Sequence, residues 1–160
     1  MRKESRKAVS PVIATVILVA VAITVAVAVA YWMGGIAGQY TKFEKVEVQS
    51  GWSVKNGTQG WVITTELKNS GSASSTLIRL FVNDVPLNTT AYGATAWDYS
   101  NTNMITTDIS ATGSTLESGQ EGTFHVWVNQ GYGQLTSGTT IDIKIHSAGG
   151  MDCIKLIQLV

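Results

Sequence analysis

The sequence has little cysteine and no excess of charge of either sign. Its 160 residues include one cysteine, Cys153, which excludes a disulfide within the chain and a zinc site built from several cysteines. Lysine and arginine together number 11, as do aspartate and glutamate. This balance argues against a dedicated nucleic-acid-binding protein, which carries a basic surface. The length allows one ordinary domain plus an additional segment, rather than a two-domain enzyme.

Charge is also absent from one long stretch near the N-terminus. Four basic residues lie within the first seven positions: Arg2, Lys3, Arg6 and Lys7. From Ala8 to Thr41 no residue is charged, and only Thr15 and Thr24 interrupt the apolar run of residues 12–30. A helix of that run spans roughly 28 Å, close to the hydrocarbon thickness of a bilayer. The basic cluster predicts that the N-terminus stays cytoplasmic and that the chain after the run lies outside the cell.

The alternating valines and alanines of this run permit a strand, but a lone strand in lipid leaves its backbone polar groups unsatisfied. A helix satisfies those groups internally, and we expect the two threonines to donate to carbonyls one turn earlier. Ser10 and Pro11 fit an N-cap and a first helical position. The glycines at 34, 35 and 38 predict that the helix loosens or ends there, although continuation towards Val48 is an alternative.

Small residues recur at every fourth position of the apolar segment: Ala22, Ala26, Ala30, Gly34 and Gly38. Small residues at this spacing let helix backbones approach closely in an apolar medium. The row therefore predicts a helix that packs against copies of itself. The alternative is that alanine is simply common in this segment.

Three fates of the apolar segment are compatible with the residues. A cleaved secretory signal has a basic start and an A-x-A site, which residues 26–28 and 28–30 supply. The run is longer than usual for such a signal, and that interpretation gives no role to Ser10 and Pro11. A permanent single-pass anchor is the second possibility, and an assembly helix is the third.

Residues 6–15, RKAVSPVIAT, followed by the apolar run, resemble the N-terminus of archaeal type IV pilin-like and archaellin-like filament subunits. The resemblance implies a class III signal peptide, which a prepilin peptidase cuts on the cytoplasmic side of the apolar helix. Carried over to Lys7, Ala8 and Val9, it implies cleavage before Val9, with the Lys7–Ala8 bond as the alternative. Residues 1–8 are then the leader and 9–45 the membrane and assembly helix. Bacterial type IV pilins have a glutamate at the position that Ile13 occupies here.

From about Val46 the sequence changes to short alternating runs rich in serine, threonine and glycine. The clearest runs include residues 61–67, 124–128 and 141–145, and further strands are predicted at 76–82 and 153–160. Asn83-Asp84 and Gly149-Gly150 predict tight turns. The predicted fold class is therefore α+β: a long N-terminal apolar helix followed by a mainly antiparallel β-sandwich over 46–160. That sandwich is similar to the immunoglobulin-like outer domains of archaeal filament subunits.

Residues 88–122 show no sustained alternation and are rich in threonine, asparagine and glycine. We expect long exposed loops there, with one short strand at Met104–Ile109. Such loops often contribute to recognition. The alternative is a solvent-exposed loop that binds no specific partner.

The sequence shows no catalytic constellation, so we expect no enzyme, no cofactor and no metal site. His125 and His146 are expected to be surface residues, and Cys153 an inert buried thiol. Asp98, Asn101, Asn103 and Asp108 have oxygens for calcium but do not have the spacing of an EF-hand loop. Glu117 and Glu121 are expected to be solvated. Asn56 and Asn88 begin N-glycosylation sequons, which have meaning only in an exported domain.

The sequence as a whole predicts a structural subunit of an extracellular type IV pilus-like filament that functions in surface adhesion. The expected partners are copies of the chain, the prepilin peptidase, the pilus assembly machinery and, before assembly, the cell membrane. No nucleic acid is expected. The alternatives are a membrane-anchored extracellular binding module, a secreted domain cut near Ala30, and an archaellin of a motility filament.

Overall fold

The computed structural model describes residues 11–95 and 105–160. The chain divides after Thr41 into two compact units, an N-terminal helix and a β-domain that begins at Lys42. The cleavage residues Lys7, Ala8 and Val9, together with Ser10, lie outside the described residues.

The first unit is a single helix, α1, which extends over Pro11–Tyr40. As predicted, its threonines bond back to the helix: Thr15 Oγ1 donates to the Val12 carbonyl and Thr24 Oγ1 to the Ala20 carbonyl, each at 2.8 Å. α1 continues through Gly34 and Gly35 and ends at Tyr40, two residues after Gly38, and the alternative of a helix continuing towards Val48 is wrong because β1 begins at Val46. Each glycine costs only about 1 kcal/mol relative to alanine, which is too little to end a helix by itself.

The second unit consists of two antiparallel sheets. Sheet A has the strand order β1 (Val46–Asn56), β2 (Gly60–Asn69), β7 (Glu121–Asn129) and β5 (Ile105–Thr107). Sheet B has the order β4 (Val85–Pro86), β3 (Ser75–Val82), β8 (Thr140–Ser147) and β9 (Asp152–Gln158), and β6 (Ser114–Leu116) pairs with the other end of β3. With α1, this arrangement confirms the predicted α+β class.

The core of the domain lies between the inward faces of the two sheets. Alternate residues of β2 and β7 point inward from sheet A, among them Ile63, Leu67 and Val126, and all three are fully buried. Ile141, Ile143 and Ile145 do the same from β8 in sheet B. The period-two pattern that predicted these strands is therefore the pattern of their burial.

Two predicted turns are confirmed in sheet B. Asn83 and Asp84 both have positive φ, at 51° and 62°, and connect β3 to β4. Asparagine and aspartate tolerate this left-handed conformation better than most residues do. The Gly149-Gly150 turn separates β8 from β9, and Gly150 has a φ of 87°.

The described residues of 88–122 contain more strand and more buried residues than the expected long exposed loops with one short strand. They include β5 and β6, and Ile105, Ile109 and Leu116 are buried in the core. The short strand expected at Met104–Ile109 corresponds to β5, although Met104 itself lies outside the described residues. Strands of three residues are too short to show a periodic pattern, so tertiary contacts rather than local sequence determine them.

The free edges of sheets A and B meet at β1 and β9. Ser53 Oγ donates to the Gln158 carbonyl at 2.7 Å and accepts from the Val160 amide at 3.1 Å. The buried Trp61 donates its indole N–H to the Val160 carbonyl at 2.9 Å. These bonds fix the last residues of the chain against sheet A.

The β-domain also holds the segment that precedes β1. The Phe43 carbonyl accepts from the amides of Ser72 and Ala73, and the Lys45 carbonyl from those of Ser70 and Gly71. A Cβ at Gly71 would lie 2.5 Å from the Phe43 carbonyl oxygen, so only glycine allows this approach. The path of the chain into β1 is therefore set by backbone bonds.

Candidate functional site

The feature that the rest of the fold leaves unexplained is the surface of α1. The helix has no charged residue, and apolar side chains project from every side of it rather than from one stripe. In the described chain none of its residues is buried; all are exposed except Ile36, which is half-buried. Apart from Ile36, its large apolar side chains from Val12 to Tyr40 are 50–86% exposed. A helix that is apolar all round requires apolar surroundings on all sides.

By length and composition, α1 is the one helix among residues 11–95 and 105–160 that could cross a membrane. Its 30 residues correspond to about 45 Å of helix, longer than a typical hydrocarbon core. Tyr31, Trp32 and Tyr40 lie in its C-terminal third, where a membrane–water interface would favour aromatic rings. The helix therefore has the dimensions of a membrane span with a short extension.

The row of small residues winds along α1 from Ala22 to Gly38. A Cβ added at Gly34, Gly35 or Gly38 would meet nothing within 4 Å. The glycines are therefore not required for any contact within the described chain. Rows of residues four apart are the ridges along which helices commonly interlock, so this row is a candidate packing surface towards another molecule.

The outward face of sheet A is a second candidate surface. Trp52 lies opposite Thr64 on β2, which lies opposite His125 on β7. The next row along the strands is apolar: Val54, Val62 and Trp127. His125 and Trp127 stack with their ring centroids 5.8 Å apart. We call these six residues the outer aromatic face.

Both histidines pair with aspartates at the domain surface. Nδ1 of His125 lies 2.8 Å from Asp108 Oδ2, and Nδ1 of His146 lies 2.6 Å from Asp152 Oδ1. Both histidine side chains are partly exposed, in agreement with the predicted surface positions.

Asp108, which the sequence offered as a calcium ligand, is paired with His125, and Asp98, Asn101 and Asn103 lie outside the described residues. Among the described residues no group of three histidine, cysteine or acidic side chains could hold a metal.

The outward face of sheet B carries polar and charged side chains on β8 and exposed apolar side chains on β9, where Ile154 is 57% and Leu156 67% exposed. Lys144 donates to the carboxylate of Asp84, and this bond raises the pKa of Lys144. Its ammonium group also lies 5.2 Å from the centroid of the Phe81 ring.

On sheet A, the ammonium group of Lys68 lies 2.8 Å from the carboxylate of Glu121. This ion pair raises the pKa of Lys68 and lowers that of Glu121. Glu117 is also exposed, so both glutamates lie at the surface as expected. These are exposed ion pairs of the kind found on many protein surfaces.

The single thiol is buried. Cys153 Sγ donates to the Val46 carbonyl at 3.2 Å, and burial raises the pKa of the thiol above its usual range, with a smaller contribution from Asp152. A thiol held in its neutral form is a poor nucleophile. This environment agrees with the prediction of an inert cysteine.

The two sequon asparagines differ in their surroundings. Asn56 ends β1 at the tip of the β1–β2 hairpin, and residues 54–59 are all exposed. Asn88 is exposed as well, but it leads directly into a single 3₁₀ turn, Thr89–Ala91, whose last residue is buried. Among the described residues, neither asparagine side chain forms a hydrogen bond to the small-residue row of α1 or to the outer aromatic face.

Comparison with known proteins shows no matching family model and no matching curated protein. Among solved structures, the chain is similar to the periplasmic stator protein FlaG of the archaellum from Sulfolobus acidocaldarius. The identity is 11%, the match covers 71% of this chain and 99% of that one, and the TM-score is 0.44.

Two further solved structures show comparable values. The stator complex of FlaF and FlaG from the same organism matches at 11% identity over 71% of this chain and 89% of that one, with a TM-score of 0.43. The flagellar-like filament Iho670 matches at 12% identity over 94% of this chain and 98% of that one, with a TM-score of 0.42.

Proposed function

We propose that this chain is a structural subunit of an extracellular type IV pilus-like filament and that it polymerises through α1. The observation that carries the proposal is the surface of that helix: 30 residues without charge, apolar on every side and unburied within the described chain. The β-domain has a hydrophobic core formed by its own residues, so it does not require this helix in order to fold. The helix therefore serves to contact lipid or other copies of the chain.

Such a helix is energetically suited to lie in the bilayer before assembly and in a bundle of identical helices after it. In the bilayer its apolar surface is already out of water. Transfer into a bundle of identical helices exchanges lipid for protein, gains little hydrophobic free energy and depends on close packing. Once the bundle is surrounded by water, loss of a subunit would expose the apolar run of residues 12–30. At about 1 kcal/mol per side chain the cost is on the order of 20 kcal/mol.

The row from Ala22 to Gly38 supplies the close packing that this exchange requires. The space around Gly34 and Gly38 supports an intermolecular role, because no contact among the described residues explains the absence of side chains there. Dispersion contacts between closely approaching backbones then favour the bundle over the dispersed helices.

The finer parts of the proposal rest on the N-terminal resemblance. A prepilin peptidase removes residues 1–8 by cutting before Val9, an assembly machinery moves the subunit from the membrane into the filament, and the filament functions in adhesion at the cell surface. An archaellin of a motility filament would share the same helix and the same cleavage.

A charge in the middle of the helix tests the proposal. Ala22→Glu should abolish filaments, because a carboxylate would be buried unpaired in the bundle or the bilayer. Ser137→Glu adds the same charge to an exposed residue of the β-domain and serves as the control. Filaments are counted by electron microscopy of sheared cell-surface material. Normal filaments from Ala22→Glu would refute assembly through α1.

A membrane-anchored binding module is the second candidate, and the outer aromatic face favours it, because exposed aromatic rings are common in binding sites. Intact mass of the exported protein separates the candidates. A first residue of Val9 or Ala8 supports the filament subunit, Met1 supports the anchored module, and a start near Tyr31 supports a secreted domain. The anchored module would also remain a monomer after extraction in detergent.

A further inference from the structure

The hairpin that connects β1 to β2 presents the first sequon in an accessible form. The Gln59 amide donates to the Asn56 carbonyl at 2.9 Å, which closes the turn, and Gly57 adopts a φ of 52°. Asn56, Gly57, Thr58 and Gln59 are all exposed. A modifying enzyme could therefore reach the sequon without opening either sheet.

The Asn56 side chain is held in place by a bond that uses only part of its amide. Asn56 Nδ2 donates to Gln59 Oε1 at 2.8 Å. A side-chain amide has two N–H groups, so one remains to be substituted while the other keeps this bond. The interaction thus orients Asn56 for modification without blocking it.

Strand alternation places Asn56 on the same side of sheet A as the outer aromatic face. Trp52, Val54 and Asn56 are alternate residues of β1 and point outward together. Trp52 is 43% exposed and Val54 53%, although both are apolar. The paired positions carry this apolar surface across the sheet from Val54 to Val62 and on to Trp127.

From this placement we propose that Asn56 carries an N-linked glycan whose first sugars lie over the outer aromatic face. The donor is a sugar activated by a phosphate leaving group on a lipid carrier. The anomeric carbon–oxygen bond to the phosphate breaks, a carbon–nitrogen bond forms at Asn56 Nδ2, the amide loses one proton to the transferase, and the lipid phosphate departs. The proposal rests on the export of the β-domain that the proposed function requires.

A glycan over the outer aromatic face is favourable because each pyranose ring has an apolar side made of C–H groups. When this side of the sugar lies on Trp52 and Val54, it removes them from water, while the sugar hydroxyls remain hydrated at the outside. Attachment at Asn56 makes the contact intramolecular, so even weak sugar–tryptophan contacts have a high effective concentration.

The second sequon has a different setting and serves as the internal comparison. Asn88 Oδ1 accepts from the hydroxyl of the adjacent Thr89, and its carbonyl accepts from the Ala91 amide inside the 3₁₀ turn. It does not lie on β1 or on the outward face of sheet A. The proposal assigns the covering glycan to Asn56 alone.

The first test maps glycans on the full chain, recovered from the surface of a host that N-glycosylates its exported proteins. Mass spectrometry of peptides should find the glycan on Asn56. Asn56→Gln and Thr58→Ala should each abolish it, whereas Thr58→Ser, which preserves the sequon, should retain it. Exported protein with an unmodified Asn56 would overturn the proposal.

The second test measures oxidation of individual tryptophans by hydroxyl radicals in the same exported protein. Loss of the glycan in Asn56→Gln should raise the oxidation of Trp52 several-fold and that of Trp127 to a smaller extent. Asn88→Gln should change neither, and the buried Trp61 should stay unoxidised in all variants. A glycosylated Asn56 with no change at Trp52 would overturn the covering of the face.

These results are distinguishable from a failure of the proposed function. Filaments built of subunits that lack the glycan would overturn this inference and leave assembly through α1 intact. A protein retained inside the cell, with Met1 still present, would contradict the proposed function and, with it, the export on which the glycan depends.

Discussion

The helix and the β-domain are both rich in valine and isoleucine, yet they place these residues in opposite environments. In the domain, Ile141, Ile143 and Ile145 alternate with polar residues and are buried. In α1 the apolar residues follow one another without alternation, and none is buried in the described chain. The domain buries the inward-facing apolar residues of its sheets by folding, whereas the apolar surface of the helix stays exposed within the described chain.

Because of this difference, we expect the two regions to respond to mutation independently. A change in α1 should alter assembly and leave the unfolding of the domain untouched. A change in the domain core should alter unfolding before it alters the helix.

The largest effect is expected from added bulk in the small-residue row. Gly34→Leu should abolish filaments or reduce them severely, because a large side chain would keep neighbouring backbones apart. Nothing within the described chain lies within 4 Å of a Cβ at Gly34, so the domain should unfold at an unchanged temperature. Filament counts and thermal unfolding in detergent check the two parts.

Gly34→Ala is the matched control for this substitution. Its single methyl group adds little bulk and raises helix propensity by about 1 kcal/mol, so filaments should persist. Equal loss of filaments in both variants would show that the position matters for a reason other than bulk.

The next effect is a loss of domain stability. Ile143 is 1% exposed between the two sheets, and Ile143→Ala should reduce the free energy of unfolding by about 2–5 kcal/mol. Denaturant unfolding of the detergent-solubilised chain, followed by tryptophan fluorescence, measures the change. The helical circular dichroism of α1 should persist beyond the unfolding of the domain. Simultaneous loss of both signals would contradict the independence of the two regions.

A smaller effect is expected where β1 passes close to β9. A Cβ at Gly51 would lie 2.9 Å from Ile157 Cδ1, the end of a flexible side chain that can shift. Gly51→Ala should therefore cost about 1 kcal/mol of domain stability by crowding. The same measurement on Gly34→Ala should show no loss. Greater destabilisation from Gly34→Ala than from Gly51→Ala would reverse the proposed contrast.

The smallest effect concerns the exposed pair of Lys68 and Glu121. The pair lowers the pKa of Glu121, so any stabilisation is present above the ordinary glutamate pKa of 4.5 and is lost as the pH falls through the lowered pKa. Glu121→Gln should thus change the unfolding temperature little at neutral pH, with any difference disappearing in acid. A large, salt-independent difference at neutral pH would show that the pair matters more than its exposure suggests.

Much of the fold could be predicted from the sequence because long, regular patterns determine it. The charge-free run is predicted to be a helix because a lone strand in lipid would leave its backbone polar groups unsatisfied. The isoleucines of β8 alternate with polar residues without interruption. Asn83-Asp84 marked its turn because these residues tolerate positive φ. In each case the local pattern and the tertiary environment favour the same structure.

The parts that sequence reasoning missed are those where the local pattern is short or broken. β1 was not recognised as a continuous strand, because a bulge between Val48 and Ser50 shifts its register and moves the inward face. β6, which was not expected, has only three residues and depends on β3 for its pairing. The outer aromatic face was missed because Trp52, Val62 and Trp127 are distant in sequence and meet only through strand register.

In the proposed filament α1 is buried against copies of itself, so a side chain at the position of Ala26 should be inaccessible to water. Ala26→Cys introduces a thiol into the small-residue row, and the buried Cys153 contributes little background. A charged, water-soluble maleimide should leave this thiol unmodified in intact filaments, while a Ser137→Cys control on the exposed domain reacts fully. Ala26→Cys filaments that react as fast as the control would contradict the claim.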